Sequence, residues 1–474
     1  MTDNIVNVII VYNYLVLFYF LMINFVYILL TILSFWVLKG YLKETLLFWK
    51  DKKLFHANFY KPISILVPAY NEKDTISDNV KSLLQLHYPG FEIIVVNDGS
   101  TDTTLEVLKE TYHLQRSYRP ILNNIHCKEI RGLYKSLDHA NLVVVDKVNG
   151  GKADALNAGI NVSQYPLVSA IDSDSILECD VMLKLVRPFL DDEKTIAVGG
   201  IVRVANGCTV RAGEVVEIDL SSNSLARFQI IEYLRSFLFG RVGWDVFNGL
   251  LVISGAFGLF LKNAVITCGG YLHETVGEDM ELVVRMHRIM REKKIPYRIT
   301  FVPEPVCWTE VPESLKILGR QRNRWQRGLI ETLTKHRIML CNPRYGIVGM
   351  LVIPFFFFFE MLGPIIELVG YIVFLLSFLF GFVNIKFAIL FFSVAIILGI
   401  VLSVGSLVLE ELSFRKYPHY RHIVWLFLYS VMENFGYRQI NTWWRFMGII
   451  DYIRGKKAWG KMERKGMKKQ EGIS

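Results

Sequence analysis

The 474-residue sequence holds little cysteine, and none of it in ligand or redox spacing. Cys127, Cys179, Cys208, Cys268, Cys307 and Cys341 include no CxxC pair, and no HExxH or zinc-type spacing accompanies them. A zinc site is therefore excluded as an organising feature, and a reducing compartment fits. The GxxxxGK[ST] spacing of a Walker phosphate loop is absent. The N-terminus lacks the basic start, short apolar core and small-residue cleavage site of a cleaved signal peptide, so its apolar run is expected to be a retained anchor. No internal repeat is visible, and the Phe355 to Phe359 run is the only low-complexity tract.

Charge is missing from two long stretches. From Val6 to Leu38 there is none, and from Tyr345 to Leu409 only Glu360, Glu367 and Lys386 interrupt an apolar run. Both exceed the ~20 residues that a bilayer-crossing helix requires. The basic residues Lys39, Lys43, Lys50, Lys52, Lys53 and Lys61 crowd the exit of the first stretch, so the positive-inside rule puts the chain beyond it in the cytosol. As one helix, Gly346 to Phe380 would be ~52 Å long, too much for a single crossing, and Gly363-Pro364 offers a break. Phe387 to Leu409 can span, and an even number of C-terminal crossings, two or four, returns the basic tail to the cytosol. Net charge is +9, but the excess gathers beside the apolar segments and in the tail. Anionic lipid headgroups are the simpler partner, and nucleic acid is not expected.

Residues 61–340 instead alternate short β-branched runs with helical patterns, as in an α/β domain with a mostly parallel, Rossmann-like sheet. Strands are expected at Ile63 to Val67, Glu92 to Val96, Asn141 to Val145, Leu167 to Ile171 and Ile196 to Val202. Helices are expected near 75–87, 102–112, 152–162 and 180–190. The chain thus divides into an anchor and basic linker over 1–60, a cytosolic α/β domain over 61–340, transmembrane and interfacial helices over 341–440, and a basic cytosolic tail over 441–474. Such sheets bind ligands beyond the carboxyl ends of their strands.

The sequence places its unusual clusters at those ends. PAYNE, Pro68 to Glu72, comes after the first expected strand and NDGS, Asn97 to Ser100, after the second. Loops there can hold a nucleoside, with Asp98 accepting hydrogen bonds from base or ribose, although two ordinary turns would use the same residues. Asn149-Gly150-Gly151-Lys152 opens a helix, so amides, helix dipole and ammonium could face an anion; a glycine turn with a solvated lysine is the plain alternative. Asp172 and Asp174 flank Ser173 after an apolar strand; residues two apart point the same way, so both carboxylates could meet one Mg²⁺ or Mn²⁺. Gly277-Glu278-Asp279 precedes the helical pattern Met280 to Met290, placing Asp279 either as an acidic helix cap or as a general base. In QRNRW, residues 321–325, Gln321, Arg324 and Trp325 share one face of a helix beginning near Ser314. Arg320, Arg322, Arg324 and Arg327 also allow that helix to be a basic amphipathic one on a membrane surface.

Taken in order, PAYNE, NDGS, GGKADALNAG, DSD, SGAFGLF at Ser254 to Phe260, GED and QRNRW resemble the family-two glycosyltransferases of the GT-A fold. The flanking helices resemble its membrane-bound processive branch, which includes cellulose, chitin, hyaluronan and poly-N-acetylglucosamine synthases. The resemblance implies a GT-A domain inserted between transmembrane helices at the plasma membrane, multi-pass, with the catalytic domain in the cytosol where nucleotide sugars are found. It further implies that Pro68, Tyr70, Glu72, Asp98, Lys152, Asp172, Gln321 and Arg324 bind the nucleotide sugar. Asp174, with Asp172, would hold Mg²⁺ or Mn²⁺, Asp279 would be the catalytic base, and Ser254, Gly255 and Trp325 would face the acceptor. The implied activity is inverting, metal-dependent and processive transfer from a UDP-sugar to a β-linked polysaccharide, coupled to export. QRxRW, as in the poly-N-acetylglucosamine and cellulose-like members and in place of the QQxRW of hyaluronan synthases, favours a β-linked homopolymer, with N-acetylglucosamine as a first choice of sugar. Single-sugar transfer to a lipid carrier is the alternative, and a catalytically retired nucleotide-binding receptor a third reading. Only 34 residues lie beyond Ile440, too few for the cyclic-di-GMP-binding domain of many bacterial cellulose synthases, so regulation is expected either from a separate partner, with an accessory secretion or regulatory protein possible, or not at all, the activity being constitutive.

Overall fold

The computed structural model describes residues 2–50, 60–173, 175–211 and 213–456. They fall into two compact units, each discontinuous in sequence. Among the described residues, one gathers the chain up to Leu42, Ser222–Val246 and 312–456; the other gathers Lys43–Ser221 and Phe247–Val311.

The second unit is built on strands β1 (Ile63–Ala69), β2 (Phe91–Asn97), β3 (Leu114–Ser117), β4 (Ile130–Ser136), β5 (Leu142–Lys147), β6 (Leu167–Ile171), β7 (Ile176–Leu177), β8 (Thr195–Val204), β9 (Thr209–Arg211), β10 (Glu214–Glu217), β11 (Phe257–Leu261) and β12 (Arg298–Thr309). The main sheet runs β3-β4-β5-β2-β1-β6-β11-β8-β12-β7, and β9 and β10 form a separate ribbon. β5, β2, β1 and β6 are mutually parallel. Buried strands of this kind carry unbroken apolar runs because both faces are covered, as Ile93 to Val96 and Val143 to Val145 do. The helix Lys152–Val162 lies over β1 and β2, and Gly159 permits its close approach: a Cβ there would stand 3.1 Å from Leu66.

Two features position the site. Parallel alignment carries the ends of β1, β2, β5 and β6 to one edge of the sheet. β11 then runs antiparallel to β6, with Phe257 opposite Ile171, so the loop entering β11, Ser254 to Ala256, returns to that same edge.

The first unit is apolar and helical. Asn7–Lys43, within the helix Thr2–Lys50, and Ile385–Ser413 are long and apolar enough to cross a membrane; Val348–Met361 and Gly363–Leu379 form a pair bent by 43° that could make a third span. The bend falls at Gly363-Pro364, where a proline has no N–H to continue the ladder. Val16, Leu17 and Phe20 of the N-terminal helix pack with Phe387, Phe391 and Val394, and Asn13 Nδ2 donates to Ser377 Oγ at 2.9 Å. Lys52, Lys53 and the basic tail beyond Lys456, on which the expected orientation partly rests, lie outside the described residues.

Candidate active site

The first two strand-end loops are stitched together. Asn71 takes a left-handed backbone (φ 56°), a conformation its short amide side chain tolerates. Its Oδ1 accepts from Thr101 N at 2.8 Å, its own N–H donates to Ser100 Oγ at 3.0 Å, and Glu72 N donates to Thr104 Oγ1 at 2.9 Å. Glu72 accepts from the hydroxyls of Thr75 and Ser173, and Tyr70 projects 49% exposed. Pro68 stays within β1, opposite Val96.

Asp98 is buried and both of its carboxylate oxygens are engaged. Oδ1 accepts from Lys147 Nζ at 2.6 Å and from Gly150 N at 3.0 Å; Oδ2 accepts from Gly151 N at 2.7 Å. Lys147, with no exposed side-chain surface, also pairs with Asp154 and donates to Val148 O. Gly99 makes this junction possible: its φ is +63°, and a Cβ would stand 2.7 Å from Asn149 N. Asp98 thus shapes the Asn149 to Lys152 loop from beneath. Lys147 and Asp154 were not legible as site residues, since a lysine closing a strand reads as an exposed terminus.

Beside that loop, four sequence clusters converge. Lys152 Nζ lies 2.5 Å from Asp172 Oδ1, 3.7 Å from Glu278 Oε1 and 3.3 Å from Gly255 O. Asp279 Oδ2 accepts from Gly255 N at 2.9 Å and Oδ1 from Met280 N at 2.8 Å. Asp279 therefore occupies the first turn of the helix Glu278–Glu292 and also crosses to the β11 loop. A small concavity is lined by Lys152, Ser254, Gly255, Tyr271, Glu278 and Asp279, with Leu156, Ala170, Ile253 and Phe260 also in its wall. Burial alone would lower the Lys152 pKa, but the carboxylates of Asp172 and Glu278 reverse this and raise it, so the ammonium stays charged. Burial, reinforced by Glu278, Asp279 and Asp172, pushes the Tyr271 phenol well above its ordinary range and keeps it protonated. Tyr271 was missed in the sequence; Asn157, inside GGKADALNAG, fixes it by accepting from Tyr271 N at 2.7 Å and donating to Tyr271 O at 2.9 Å.

Asp174 lies outside the described residues. Among the described residues no trio of His, Cys, Asp or Glu side chains is grouped to hold a metal ion.

In the other unit, QRNRW sits in the helix Leu315–Lys335, capped by Ser314, whose Oγ accepts from Ile317 N. Trp325 is 45% exposed. The Arg322 guanidinium stacks over its ring at 4.1 Å and donates to Glu232 Oε2 at 2.8 Å. Arg322 and Arg327 are buried, the latter donating to Lys456 O at 2.6 Å. Two of the four arginines that allow a basic membrane-surface helix are therefore used internally, and Arg320 and Arg324 are not buried.

The fold is that of a GT-A-type glycosyltransferase. The chain belongs to the glycosyl transferase family group 2, whose profile matches residues 167–406, just over half the chain, and the Glycosyl transferase family 2 profile matches residues 64–214. It is a membrane-associated member. Among curated proteins it is similar to the poly-beta-1,6-N-acetyl-D-glucosamine synthase of Staphylococcus aureus (strain MSSA476), 32% identical over 274 residues, 58% of this chain and 56% of that protein. The synthase of the same name from Staphylococcus epidermidis is 30% identical over 273 residues, again 58% and 56%. The chain thus spans little more than half the length of the curated relatives it matches. Among solved structures, the mannosyltransferase PcManGT from Pyrobaculum calidifontis, in complex with GDP-Man and Mn²⁺, shares the fold with a TM-score of 0.51 and 16% identity, over 90% of this chain and 99% of that one.

Proposed function

We propose that this chain is an inverting, processive glycosyltransferase that moves a sugar, N-acetylglucosamine in the first instance, from a UDP-sugar onto a growing β-linked polysaccharide at the cytosolic face of the plasma membrane. The observation that carries the reading is the meeting at the carboxyl edge of the sheet of Lys152, paired with Asp172, with Gly255 and Asp279, which line one concavity with it. The names of the staphylococcal relatives support the choice of sugar.

Asp279 is the base. Its carboxylate is aimed by two backbone amides, of Gly255 and Met280, which leaves lone pairs for an acceptor hydroxyl. As that hydroxyl oxygen bonds to the anomeric carbon, its proton passes to Asp279 and the bond from that carbon to the diphosphate oxygen breaks, releasing UDP. One displacement inverts the centre, so an α-linked donor gives a β-linked product. Pro68, Tyr70, Glu72 and Asp98 form or support the nucleoside side, Lys152, Gln321 and Arg324 serve the diphosphate, and Ser254, Gly255 and Trp325 serve the acceptor.

The donor set fits a hard divalent cation. Asp172, part-exposed and paired with Lys152, offers a carboxylate, Asp174 would be the companion, and Mg²⁺ or Mn²⁺ commonly rests on one or two carboxylates plus substrate phosphates. When bound, such an ion neutralises charge gathering on the leaving diphosphate.

The test is to incubate membranes carrying the chain with a panel of UDP-sugars and size the product. Polymer from one donor is expected. A single sugar on lipid would favour transfer to a lipid carrier, and no transfer from any donor would leave the receptor reading.

A further inference from the structure

In the helical unit, three consecutive carbonyls at the bend accept from side chains of other segments. Phe359 O accepts from Tyr19 Oη at 3.2 Å, Glu360 O from Arg445 Nη2 at 2.5 Å, and Met361 O from Gln326 Nε2 at 3.0 Å. The cause lies in the sequence. Pro364 has no N–H, so Glu360 O lacks its donor four residues on. Ile365 N turns to Leu362 O at 3.0 Å, which leaves Met361 O without its own. Carbonyls orphaned in an apolar setting are costly unless capped. Arg445 then ties the two caps together: Nε donates to Gln326 Oε1 at 3.0 Å and Nη2 to Glu360 Oε2 at 3.0 Å.

Gln326 is the residue after Trp325. It is 2% exposed while Trp325 is 45% exposed, and neighbours on a helix point about 100° apart. Fixing Gln326 therefore fixes which way Trp325 and Arg324 face. The helix Tyr437–Ile453, which carries Arg445, lies against Leu315–Lys335 at glycine contacts: a Cβ on Gly319 would stand 2.7 Å from Trp444, and one on Gly448 2.8 Å from Asn323 O. Asn323 Nδ2 also donates to Asp451 Oδ2 at 3.0 Å.

We infer that Gln326 and Arg445 are positioning residues, a fork anchored on the Gly363-Pro364 break that sets the rotation of the QRNRW helix for sugar transfer. The inference rests on the reading that Arg324 and Trp325 serve diphosphate and acceptor.

The experiment uses the full chain in lipid nanodiscs, with UDP-N-acetylglucosamine as donor. Gln326→Ala, Arg445→Ala and the double variant are compared for kcat, donor KM, and hydrogen exchange over residues 315–335. Each single variant is expected to lower kcat about tenfold with donor KM moving less than threefold, and the double to be no worse than the poorer single, because both act through one fork. Exchange over 315–335 should quicken in each. Gln326→Glu, which keeps the acceptor for Arg445, should retain more turnover than Gln326→Ala, and with Arg445→Lys it serves if the alanine variants do not fold. Wild-type kcat per folded molecule, even with lowered thermal stability, would reduce the fork to a structural cap and overturn the inference, as would unchanged exchange. If Trp325→Ala still makes polymer, or the wild type turns over no UDP-N-acetylglucosamine, it is the functional reading that fails, and the exchange measurement still decides whether the fork orients the helix.

Discussion

Replacing Asp98 by Asn tests whether this residue is a nucleoside ligand held free in a loop or the keystone beneath the Gly150-Gly151 turn. Both carboxylate oxygens face donors: Lys147 Nζ and Gly150 N on Oδ1, Gly151 N on Oδ2. An amide must point its NH₂ at one of them. In the milder orientation the carbonyl stays on Lys147 and Gly150, and the Gly151 N–H meets another donor, which costs about 1–3 kcal/mol. Lys147, fully buried, also loses one of its two carboxylate partners; breaking a buried pair outright costs about 3–5 kcal/mol, and the remaining contacts with Asp154 and Val148 O moderate this. The sum is of order 3 kcal/mol, which for a domain of this size lowers Tm by roughly 6–12 °C. Thermal unfolding of the purified protein, followed by tryptophan fluorescence with and without UDP, measures it. A loss of Tm is expected in both conditions, together with weaker UDP binding. Weakened UDP binding at an unchanged Tm would refute the reasoning and return Asp98 to the role of a direct ligand.

Other residues give sharper kinetic or pH signatures. Asp279→Asn removes the basic carboxylate while keeping an acceptor for one of its two amides, so UDP-sugar binding should persist while turnover falls by a factor on the order of 10² or more; loss of binding together with folding would mark a helix cap instead. Trp325→Ala should leave hydrolysis of the UDP-sugar by water while abolishing polymer, read by separating free sugar from product chains. Chelation with EDTA should stop transfer and added Mg²⁺ or Mn²⁺ should restore it; full turnover in chelator would count against the role of Asp172 and Asp174. His287 is buried and its pKa is pushed down to about 4, chiefly by desolvation; Nε2 donates to Leu250 O and Nδ1 accepts from Tyr297 Oη. The unfolded chain, titrating near 6.5, binds more protons between those values. Stability is therefore full above about pH 6.5 and falls by roughly 3 kcal/mol as pH drops to 4; His287→Gln should flatten that slope in unfolding measured against pH.

Much of the α/β unit was legible because buried parallel strands announce themselves as continuous apolar runs. Leu167–Ile171 was bounded correctly, Ile63 to Val67 and Glu92 to Val96 fell short by a residue or two at their ends, and the helix Lys152–Val162 began where its glycines stop. The site was legible only as fragments. SGAFGLF reads as a motif, but nothing in its period says that β11 inserts antiparallel between β6 and β8, and that insertion carries Gly255 to Asp279. Lys147 and Arg322 were hidden for another reason. A long charged side chain reads as solvated until its partner is known, and Asp98 and Glu232 lie 49 and 90 residues away in sequence.

The electrostatics of the edge favour a divalent cation arriving with the substrate. Asp98, Asp154, Asp172, Glu278 and Asp279 set five carboxylates against the ammonium groups of Lys147 and Lys152. Lys147 is consumed by Asp98 and Asp154, and both of its partners are buried with it. Lys152 is left facing Asp172, Glu278 and Asp279, which hold it charged. A nucleoside diphosphate brought to such an edge adds further negative charge in a partly desolvated setting, where like charges repel more strongly than in water. Moving Lys152 onto the diphosphate would strip Asp172 of its partner, so one ammonium cannot serve both. A divalent cation held by Asp172 and its proposed companion Asp174 would remove the conflict. Asp172 would then turn to the cation, Lys152 would be freed for phosphate, and Asp279 would keep the two backbone amides that aim it.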